Sequence, residues 1–347
     1  MRYGRAARSP LDTGLAGRPR LCQAPAMGTW LWKKFRAALA LVCDWRTVVV
    51  FSLLGGGVSL LGLGGGRWWI LDLCNNFQAQ YFGFQVLCLL VLAGRRRFGW
   101  ALLPVLFLLL PGSRLAPYYL PHNDGPPLAR PLRVVSFNVL FTNKRYADTV
   151  RWVQQTDPDI AFFPEVTPAW ADGLAPLKTT LPHCVIHAQT HNFGFALYSK
   201  YPIVEQVLMP SPVLGMAMVQ VTLDIHGERV IFVGVHPPSP LSAAYSHARD
   251  NAYEDLAKLL RHESRPVIVA GDFNATPWSH AVAPLVVIGL HDTMLGCGFS
   301  ATWQRNIPFV AIPIDQILLR GPIRTHARWT GPDLGSDHRP VVADLRW

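Results

Sequence analysis

The sequence predicts an α/β domain with mixed sheet content, preceded by transmembrane helices. Three observations lead to this prediction. Long apolar stretches fill residues 45–116, short strand-like and helix-like segments alternate from residue 131 onward, and the charge differs between the two parts. Residues 1–120 carry a formal charge of +11, whereas residues 121–347 carry −1 and all 12 His. The C-terminal part therefore lacks the broad positive field that non-specific DNA binding needs.

The N-terminal third is predicted to hold a basic segment, 1–44, and a membrane region, 45–116, with about three transmembrane helices. Residues 1–26 are rich in Arg, Gly and Pro and show no period, so part of the basic segment is expected to be disordered. A membrane-crossing helix needs about 17–25 apolar residues. The uncharged stretches here are 20, 22 and 16 residues long and lie between Arg46 and Arg67, Asp72 and Arg95, and Arg97 and Arg114. Buried core helices are the alternative, because the second stretch is polar at its start and the third is short.

The positive charges predict the orientation of this region. Lys33, Lys34 and Arg36 precede the first stretch, and residues 95–97 are three consecutive Arg between the second and third. Both clusters are expected to remain in the cytoplasm. Three crossings at the cell (inner) membrane then place the C-terminal part outside the cytoplasm, whereas two crossings would reverse this side. Residues 117–130 are predicted as a linker rich in Pro.

Residues 131–347 alternate between short apolar runs and amphipathic segments, and this part is long enough to bury its own core. The predicted strands are 133–141, 159–163, 193–199, 217–225, 229–235, 266–270, 314–319 and 341–345. The predicted helices are 146–155 and 242–261, with 280–289 as a third candidate. His226 and Gly227 predict the turn of a hairpin between two of these strands.

Polar side chains recur in or directly after the apolar runs. They are Asn138, Glu165, His236, Asp272, Asn274, Asp315, Asp337 and His338. A carboxylate, amide or imidazole next to so apolar a strand costs free energy unless it is paired or binds a metal. Because six separate segments share this arrangement, we expect the strand ends to converge on one cleft.

The side-chain types in this set fit a hard cation. Glu165, Asp337 and the amide oxygen of Asn138 are oxygen ligands, which suit Mg²⁺ or Mn²⁺. The six Cys include no CxxC motif and no Cys/His pair at zinc spacing, so a structural zinc site is not expected. Cys184 and Cys297 form either a disulfide or two free thiols.

The motifs that contain these residues resemble those of the endonuclease/exonuclease/phosphatase superfamily. The motifs are SFNV at 136–139, PE at 164–165, GDFN at 271–274, IDQIL at 314–318 and SDHRP at 336–340. The resemblance covers about residues 130–347, and it implies a four-layered α/β sandwich of two packed mixed β-sheets flanked by helices. The N-terminal helices lie outside it and resemble those of membrane-anchored bacterial members. Family members commonly have His where this chain has Gln316, a change that we interpret as a substrate-side difference.

The resemblance also implies a role for each residue. Glu165, with Asn138 and Asp337, is expected to hold Mg²⁺ or Mn²⁺. The implied catalytic residues are Asp272 for the attacking water, Asn274 and His236 for the phosphate, and His338 supported by Asp315 for the transition state. Trp303 either lines the substrate cleft or packs in the core. Arg339 either reaches a phosphate or pairs with an acid.

The function that this set predicts is metal-dependent hydrolysis of a phosphodiester or phosphomonoester by in-line attack of water, on a membrane-anchored protein. The alternatives are a catalytically inactive binding module on the same scaffold and a nuclease acting on DNA or RNA outside the cytoplasm. Lipid head groups and nucleic acids both remain possible substrates. The membrane is an expected partner, and no obligate protein partner is evident.

Overall fold

The computed structural model describes residues 44–121, 130–210 and 217–346, together with Trp32, Lys34 and Arg36. Almost all of the predicted basic segment lies outside these residues, as do residues 122–129 of the predicted linker.

Within the described part of the N-terminal third, three helical stretches are long and apolar enough to span a membrane: Trp45–Gly64, Trp69–Gly94 and Phe98–Tyr119. Their α-helices are α1 (Trp45–Leu61), α2 (Trp69–Leu73), α3 (Gln78–Gly94) and α4 (Phe98–Tyr119). The third stretch is longer than predicted, because α4 continues to Tyr119 and so includes the first residues of the predicted linker.

The three stretches pack side by side and leave much apolar surface uncovered. Ser52 Oγ of α1 donates to Gln85 Oε1 of α3 at 2.7 Å, which joins the two helices at mid-length. Leu54, Leu90 and Leu106 are 60%, 63% and 62% exposed. Such exposure contradicts the alternative of buried core helices and fits contact with lipid.

The C-terminal part contains two six-stranded mixed sheets. The strands are β1 (Pro131–Ser136), β2 (Ile160–Pro164), β3 (His183–His187), β4 (Phe195–Ser199), β5 (Ile203–Pro210), β6 (Ala217–Ile225), β7 (Glu228–Val235), β8 (Val267–Asp272), β9 (His291–Asp292), β10 (Asp315–Arg320), β11 (Arg324–Thr330) and β12 (Val341–Arg346). The first sheet has the order β11-β12-β1-β2-β4-β3, and the second has the order β5-β6-β7-β8-β10-β9. Only the β1–β2 and β7–β8 pairs are parallel among the described strand pairs.

Apolar side chains build this part as four layers. Val134 and Phe162 of the first sheet share a core with Phe232 and Ile268 of the second. The helices on the outer faces are α5 (Tyr146–Thr156), α6 (Pro168–Leu174), α7 (Ala243–Leu260) and α8 (Ala283–Val287). The first two pack against the outer face of the first sheet and the last two against that of the second. The predicted α/β sandwich of two packed sheets flanked by helices is confirmed.

The strand register brings the predicted polar segments to one edge of the sandwich. The parallel strands β1 and β2 both end there, as do the parallel strands β7 and β8. Asp315 at the start of β10 is paired with Asp272 at the end of β8, and Val341 at the start of β12 is paired with Ser136 at the end of β1. This topology places six chain segments around one cleft.

Candidate active site

The cleft at this edge has a volume of about 440 Å³. Six of the predicted site residues line it: Glu165, His236, Asp272, Asn274, Asp337 and His338. Trp303, which either lines the cleft or packs in the core according to the sequence, is among the lining residues. Asn138 and Asp315 lie fully buried directly beneath this lining.

The Asn138 amide connects the two central carboxylates. Its Nδ2 donates to Glu165 Oε1 at 2.9 Å and to Asp272 Oδ2 at 3.0 Å. Its Oδ1 accepts a hydrogen bond from the backbone N–H of Leu140 at 3.0 Å. The amide therefore presents its NH₂ group to the carboxylates, and binding of a cation through the amide oxygen requires the amide to turn over.

His338 and Asp315 form a buried hydrogen-bonded pair. His338 Nδ1 lies 2.8 Å from Asp315 Oδ2, while Nε2 of the same ring lies 3.7 Å from Asp272 Oδ2. Burial alone would lower the pKa of His338, but the carboxylates of Asp315 and Asp272 outweigh it and raise the pKa from 6.5 to about 10. The imidazole is therefore a cation at neutral pH, with Nε2 directed at the cleft.

Asp272 lies between the two histidines. His236 Nε2 is 3.5 Å from Asp272 Oδ2 and 3.8 Å from Glu165 Oε1. Burial raises the pKa of Asp272, and the positive charge of His338 opposes this rise. A carboxylate held in this way can orient a water molecule or accept its proton.

Asp337 supplies the third carboxylate of the cleft. The indole Nε1 of Trp303 donates to its Oδ2 at 2.9 Å. Its Oδ1 is buried and has no hydrogen-bond partner among the described residues. A buried carboxylate oxygen without a donor carries a large desolvation cost, which coordination of a cation would offset.

Two sets of residues could hold a metal ion. The ligand atoms of Asp272, Asp315 and His338 lie within 4.8 Å of one another. In that set, however, Nδ1 of His338 and Oδ2 of Asp315 already form a hydrogen bond with each other, so those two atoms are not free to bind a metal. Glu165 and Asp337 form the second set: both line the cleft, and as hard oxygen donors they fit Mg²⁺ or Mn²⁺.

Three residues at the cleft adopt left-handed backbone conformations that are unusual outside glycine. Leu140, Glu165 and Asn274 have φ angles of 61°, 66° and 46°. This conformation costs about 1 kcal/mol or more per residue. At Glu165 it turns the chain immediately after β2, and Oε2 of the side chain then accepts the backbone N–H of Phe141 at 3.1 Å. Three of the six described non-glycine residues with positive φ therefore lie at the cleft.

The Asn274 amide is fixed by residues that the sequence did not indicate. Ser239 Oγ donates to Asn274 Oδ1 at 2.8 Å, and Asn274 Nδ2 donates to the carbonyl of Pro237 at 2.9 Å. Ser239, Pro240 and Leu241 also line the cleft. The only sequence signal for this loop was its position directly after His236 at the end of an apolar strand.

Two predicted positions lie outside the cleft. Arg339 is exposed and is not among the lining residues; its backbone N–H donates to the carbonyl of Thr302. The expectation that Gln316 is a substrate-side difference is wrong. Its side chain is 1% exposed and donates to the carbonyl of Ala275 at 2.7 Å. Successive residues of a strand face opposite sides, so Gln316 points away from the side of Asp315.

The family comparison agrees with this geometry. The model of the endonuclease/exonuclease/phosphatase family matches residues 135–338, which is more than half of the chain. The chain therefore belongs to the endonuclease/exonuclease/phosphatase family, whose members hydrolyse phosphate esters. A comparison with curated proteins gives no match.

Solved structures with the same fold include several phosphate-ester enzymes. A humanized TDP2 of D. rerio is 18% identical, covers 62% of this chain and 99% of its own, and has a TM-score of 0.54. An endonuclease/exonuclease/phosphatase from Beutenbergia cavernae is 19% identical, and the match covers 63% of this chain and 72% of that protein, with a TM-score of 0.53. A mannosyl-6-phosphatase from Bacteroides thetaiotaomicron is 20% identical, and the match covers 62% of this chain and 100% of that protein, with a TM-score of 0.50. At these identities the likeness shows the fold alone.

Proposed function

We propose that this chain is a membrane-anchored, Mg²⁺- or Mn²⁺-dependent phosphoesterase. One observation carries the proposal: Glu165, Asp272 and Asp337 face one cleft together with a histidine cation, and Asp337 Oδ1 is buried without a donor. Three carboxylates in so small a volume repel one another, and a divalent cation relieves that repulsion. A cleft that combines a cation site with His338 suits the negative charge of a phosphate ester.

Glu165 and Asp337 would hold the metal ion, with Asn138 as a third ligand after its amide turns over. A divalent cation bound there would polarise a phosphoryl oxygen and neutralise part of the charge of the transition state. The protein residues supply the rest. His338, kept protonated and oriented by Asp315, donates from Nε2 to a non-bridging oxygen, while Asn274 and His236 hold the phosphate from the side of the second sheet.

Hydrolysis then proceeds in one displacement at phosphorus. Asp272 orients a water molecule and takes one of its protons as the water oxygen bonds to phosphorus. The bond from phosphorus to the ester oxygen breaks on the opposite side, and the departing oxygen takes a proton from solvent water to become an alcohol, while Asp272 later returns its proton to solvent. Ester and water thus give an alcohol and a phosphate, with no covalent enzyme intermediate and no redox partner.

The full chain, purified in detergent, tests this proposal with bis-p-nitrophenyl phosphate. We expect hydrolysis with Mg²⁺ or Mn²⁺ and loss of activity in excess EDTA. Asp272→Asn should lower kcat by about 100-fold or more, the usual size of a general-base contribution. Asp255→Asn is the matched control, because that carboxylate is on the surface of α7 and pairs only with Lys258 among the described residues. Full activity in EDTA or in Asp272→Asn would refute the proposal, and an inactive wild-type chain would favour the binding-module alternative.

We also propose that the cleft lies outside the cytoplasm. Residues 95–97, three consecutive Arg, lie at the end of the helical bundle opposite to the catalytic part, and such clusters remain in the cytoplasm. Three spans therefore carry the catalytic part to the other side of the inner membrane.

A further inference from the structure

Residues 72–77, at the start of the second apolar stretch, are bound to the catalytic part by buried polar contacts. Asp72 in α2 is 4% exposed. Its Oδ2 accepts from Ser279 Oγ at 2.6 Å and from Arg249 Nη2 at 3.3 Å, and its Oδ1 accepts from the backbone N–H of His280 at 2.8 Å. Arg249 is 1% exposed and also donates to the carbonyl of Asn274 at 3.0 Å. One buried ion pair therefore joins the membrane region to the active site.

Further hydrogen bonds hold residues 72–77 against the catalytic part and against α4. Asn76 Oδ1 accepts from Thr276 Oγ1 at 3.0 Å, two residues beyond Asn274. Arg114 of α4 donates to Asn75 Oδ1 at 2.6 Å, and its carbonyl accepts from the Trp278 indole at 3.2 Å. Asn76 at the polar start of the second stretch thus has its partner in the catalytic part, whereas Asn75 has its partners within the membrane region, at Gly62, Asp72 and Arg114.

This docking makes the membrane region one wall of the catalytic cleft. Leu73, Asn76 and Phe77 line the same cleft as the catalytic carboxylates. Further apolar lining comes from Leu140, Leu241 and Ile312. The cleft therefore has a charged floor and an apolar side that is continuous with helices able to span a membrane, which is the pattern of a site for an amphiphilic ligand.

Two loops on the rim of the cleft expose large apolar side chains. Leu241 is 81% exposed and Phe309 is 87% exposed. The loop that contains Phe309 touches the second apolar stretch, since Gln80 of α3 donates to the carbonyl of Ala311 at 2.8 Å. Exposed apolar side chains that close to a membrane helix are expected to insert into the lipid surface.

The charge of the cleft argues against a nucleic acid. Within the described part of the chain, no Lys or Arg side chain lines the cleft. Binding of a polyanion depends on several cationic contacts to successive phosphates. A single phosphate on an apolar carrier needs only the catalytic cation and His338.

We propose that residues 72–77 are part of the substrate site and that the substrate is a phosphate ester carried by a membrane-embedded apolar chain, that is, a lipid. Phe77 and Leu73 would contact the apolar chain next to the head group, while the phosphate would lie beside His338 and the cation that the carboxylates hold. This inference rests on the proposed phosphoesterase function and adds the substrate class to it.

The test compares two substrates on the full chain in nanodiscs. One substrate is soluble bis-p-nitrophenyl phosphate; the other is the nanodisc lipid itself, made of phosphatidylcholine, phosphatidylglycerol, sphingomyelin and a polyprenyl phosphate, with products measured by mass spectrometry. Phe77→Ser should lower lipid hydrolysis by about tenfold, the effect of losing one aromatic contact, and should lower hydrolysis of the soluble ester by a smaller factor. Phe77→Leu should restore most of the lipid activity. Phe98→Ser is the control, because Phe98 is an exposed phenylalanine at the opposite end of the bundle.

The outcomes separate this inference from the function on which it rests. An equal loss on both substrates in Phe77→Ser would assign that residue a structural role and overturn the inference. Hydrolysis of the soluble ester without hydrolysis of any lipid would also overturn it, as would faster cleavage of a single-stranded DNA oligonucleotide than of every lipid. A wild-type chain without metal-dependent activity on the soluble ester would instead refute the proposed function.

Discussion

His338 is held as a cation by the residues beneath it. The imidazole is 4% exposed, and burial of this kind favours the neutral form. Asp315, itself fully buried, reverses that preference by binding Nδ1, and Asp272 adds a second negative charge beside Nε2. The raised pKa of His338 means that the protonated form, which can donate to a phosphate oxygen, persists through neutral and mildly alkaline pH.

Removal of the Asp315 charge should therefore move the pH profile. In wild type, the alkaline fall in kcat should begin only as the pH approaches the pKa of His338, which is about 10. In Asp315→Asn the main charge that raises this pKa is lost, so the alkaline limb should move to lower pH by about one unit or more. The measurement is kcat against pH in both chains. Asp148→Asn on the surface of α5 is the control, and an unshifted limb in Asp315→Asn would contradict the role of Asp315.

The residues of the cleft show how much of the candidate site could be predicted from the sequence alone. The polar residues after apolar runs indicated which side chains meet, and the structure brings Glu165, Asp272 and His338 into one cleft. The orientation of the Asn138 amide and the burial of Gln316 could not be predicted, because each depends on partners in other strands. An amphipathic pattern predicts which face of an element is buried, but it does not predict which hydrogen-bond partner a buried polar side chain will have.

Strands β7 and β8 align His236 and Asp272 through one close backbone contact. Gly271 has a φ of +151°, and a Cβ at this position would lie 1.9 Å from the carbonyl oxygen of Val235. No other residue type lets the two parallel strands approach so closely next to Asp272. The position of the catalytic carboxylate therefore depends on this glycine.

Gly271→Ala should lower both stability and activity. The added methyl group forces β7 and β8 apart at their ends, at a cost of about 3 kcal/mol in the free energy of unfolding. Thermal unfolding in detergent and kcat on bis-p-nitrophenyl phosphate measure the two effects. Gly227→Ala is the comparison, because Gly227 lies in the β6–β7 turn at φ +87° with open space around it. That variant should cost only about 1 kcal/mol and leave kcat unchanged. Equal kcat values in the two variants would show that strand spacing does not control the site.

Element prediction succeeded where apolar pattern was strong and failed at the edges of the sheets. The run that becomes β8 is apolar throughout and was predicted, whereas β5 and β11 were not. β5 is an edge strand with several exposed residues, and β11, also at an edge, contains three basic residues. Edge strands need only one hydrogen-bonded neighbour and carry charge to prevent aggregation, so their sequences resemble loops.

At the scale of the whole molecule, the described residues form three apolar helical stretches that are joined to a four-layered domain by buried polar contacts. Sequence alone indicated both parts but not their contact. The partners of Asn76 and Asp72 lie about 200 residues further along the chain, at Thr276 and Ser279, and no local pattern encodes a contact of that range. The proposed membrane orientation therefore applies to the helices and the domain together.

Thiol labelling of intact cells checks that orientation. Ser264→Cys places an exposed thiol on the catalytic part, and Gly94→Cys places one beside residues 95–97, where a Cβ has no neighbour within 4 Å. A membrane-impermeant maleimide should label Ser264→Cys in intact cells and Gly94→Cys only after permeabilisation. Labelling is scored above that of the wild-type chain, which has its own six Cys. The reverse pattern would place the cleft in the cytoplasm.

The Asp72–Arg249 ion pair also limits how this chain can be divided into fragments. A fragment that starts at residue 130 would keep the buried guanidinium but lose the carboxylate opposite it, and it would uncover Trp278 and Met294, which pack on Tyr118. Arg249 would still pair with Asp250, but Ser279 and the backbone N–H of His280 would lose their buried acceptor, and newly exposed apolar surface favours self-association. The three apolar helical stretches thus complete the packing of the C-terminal part, and a truncation that removes them should aggregate rather than remain a folded fragment.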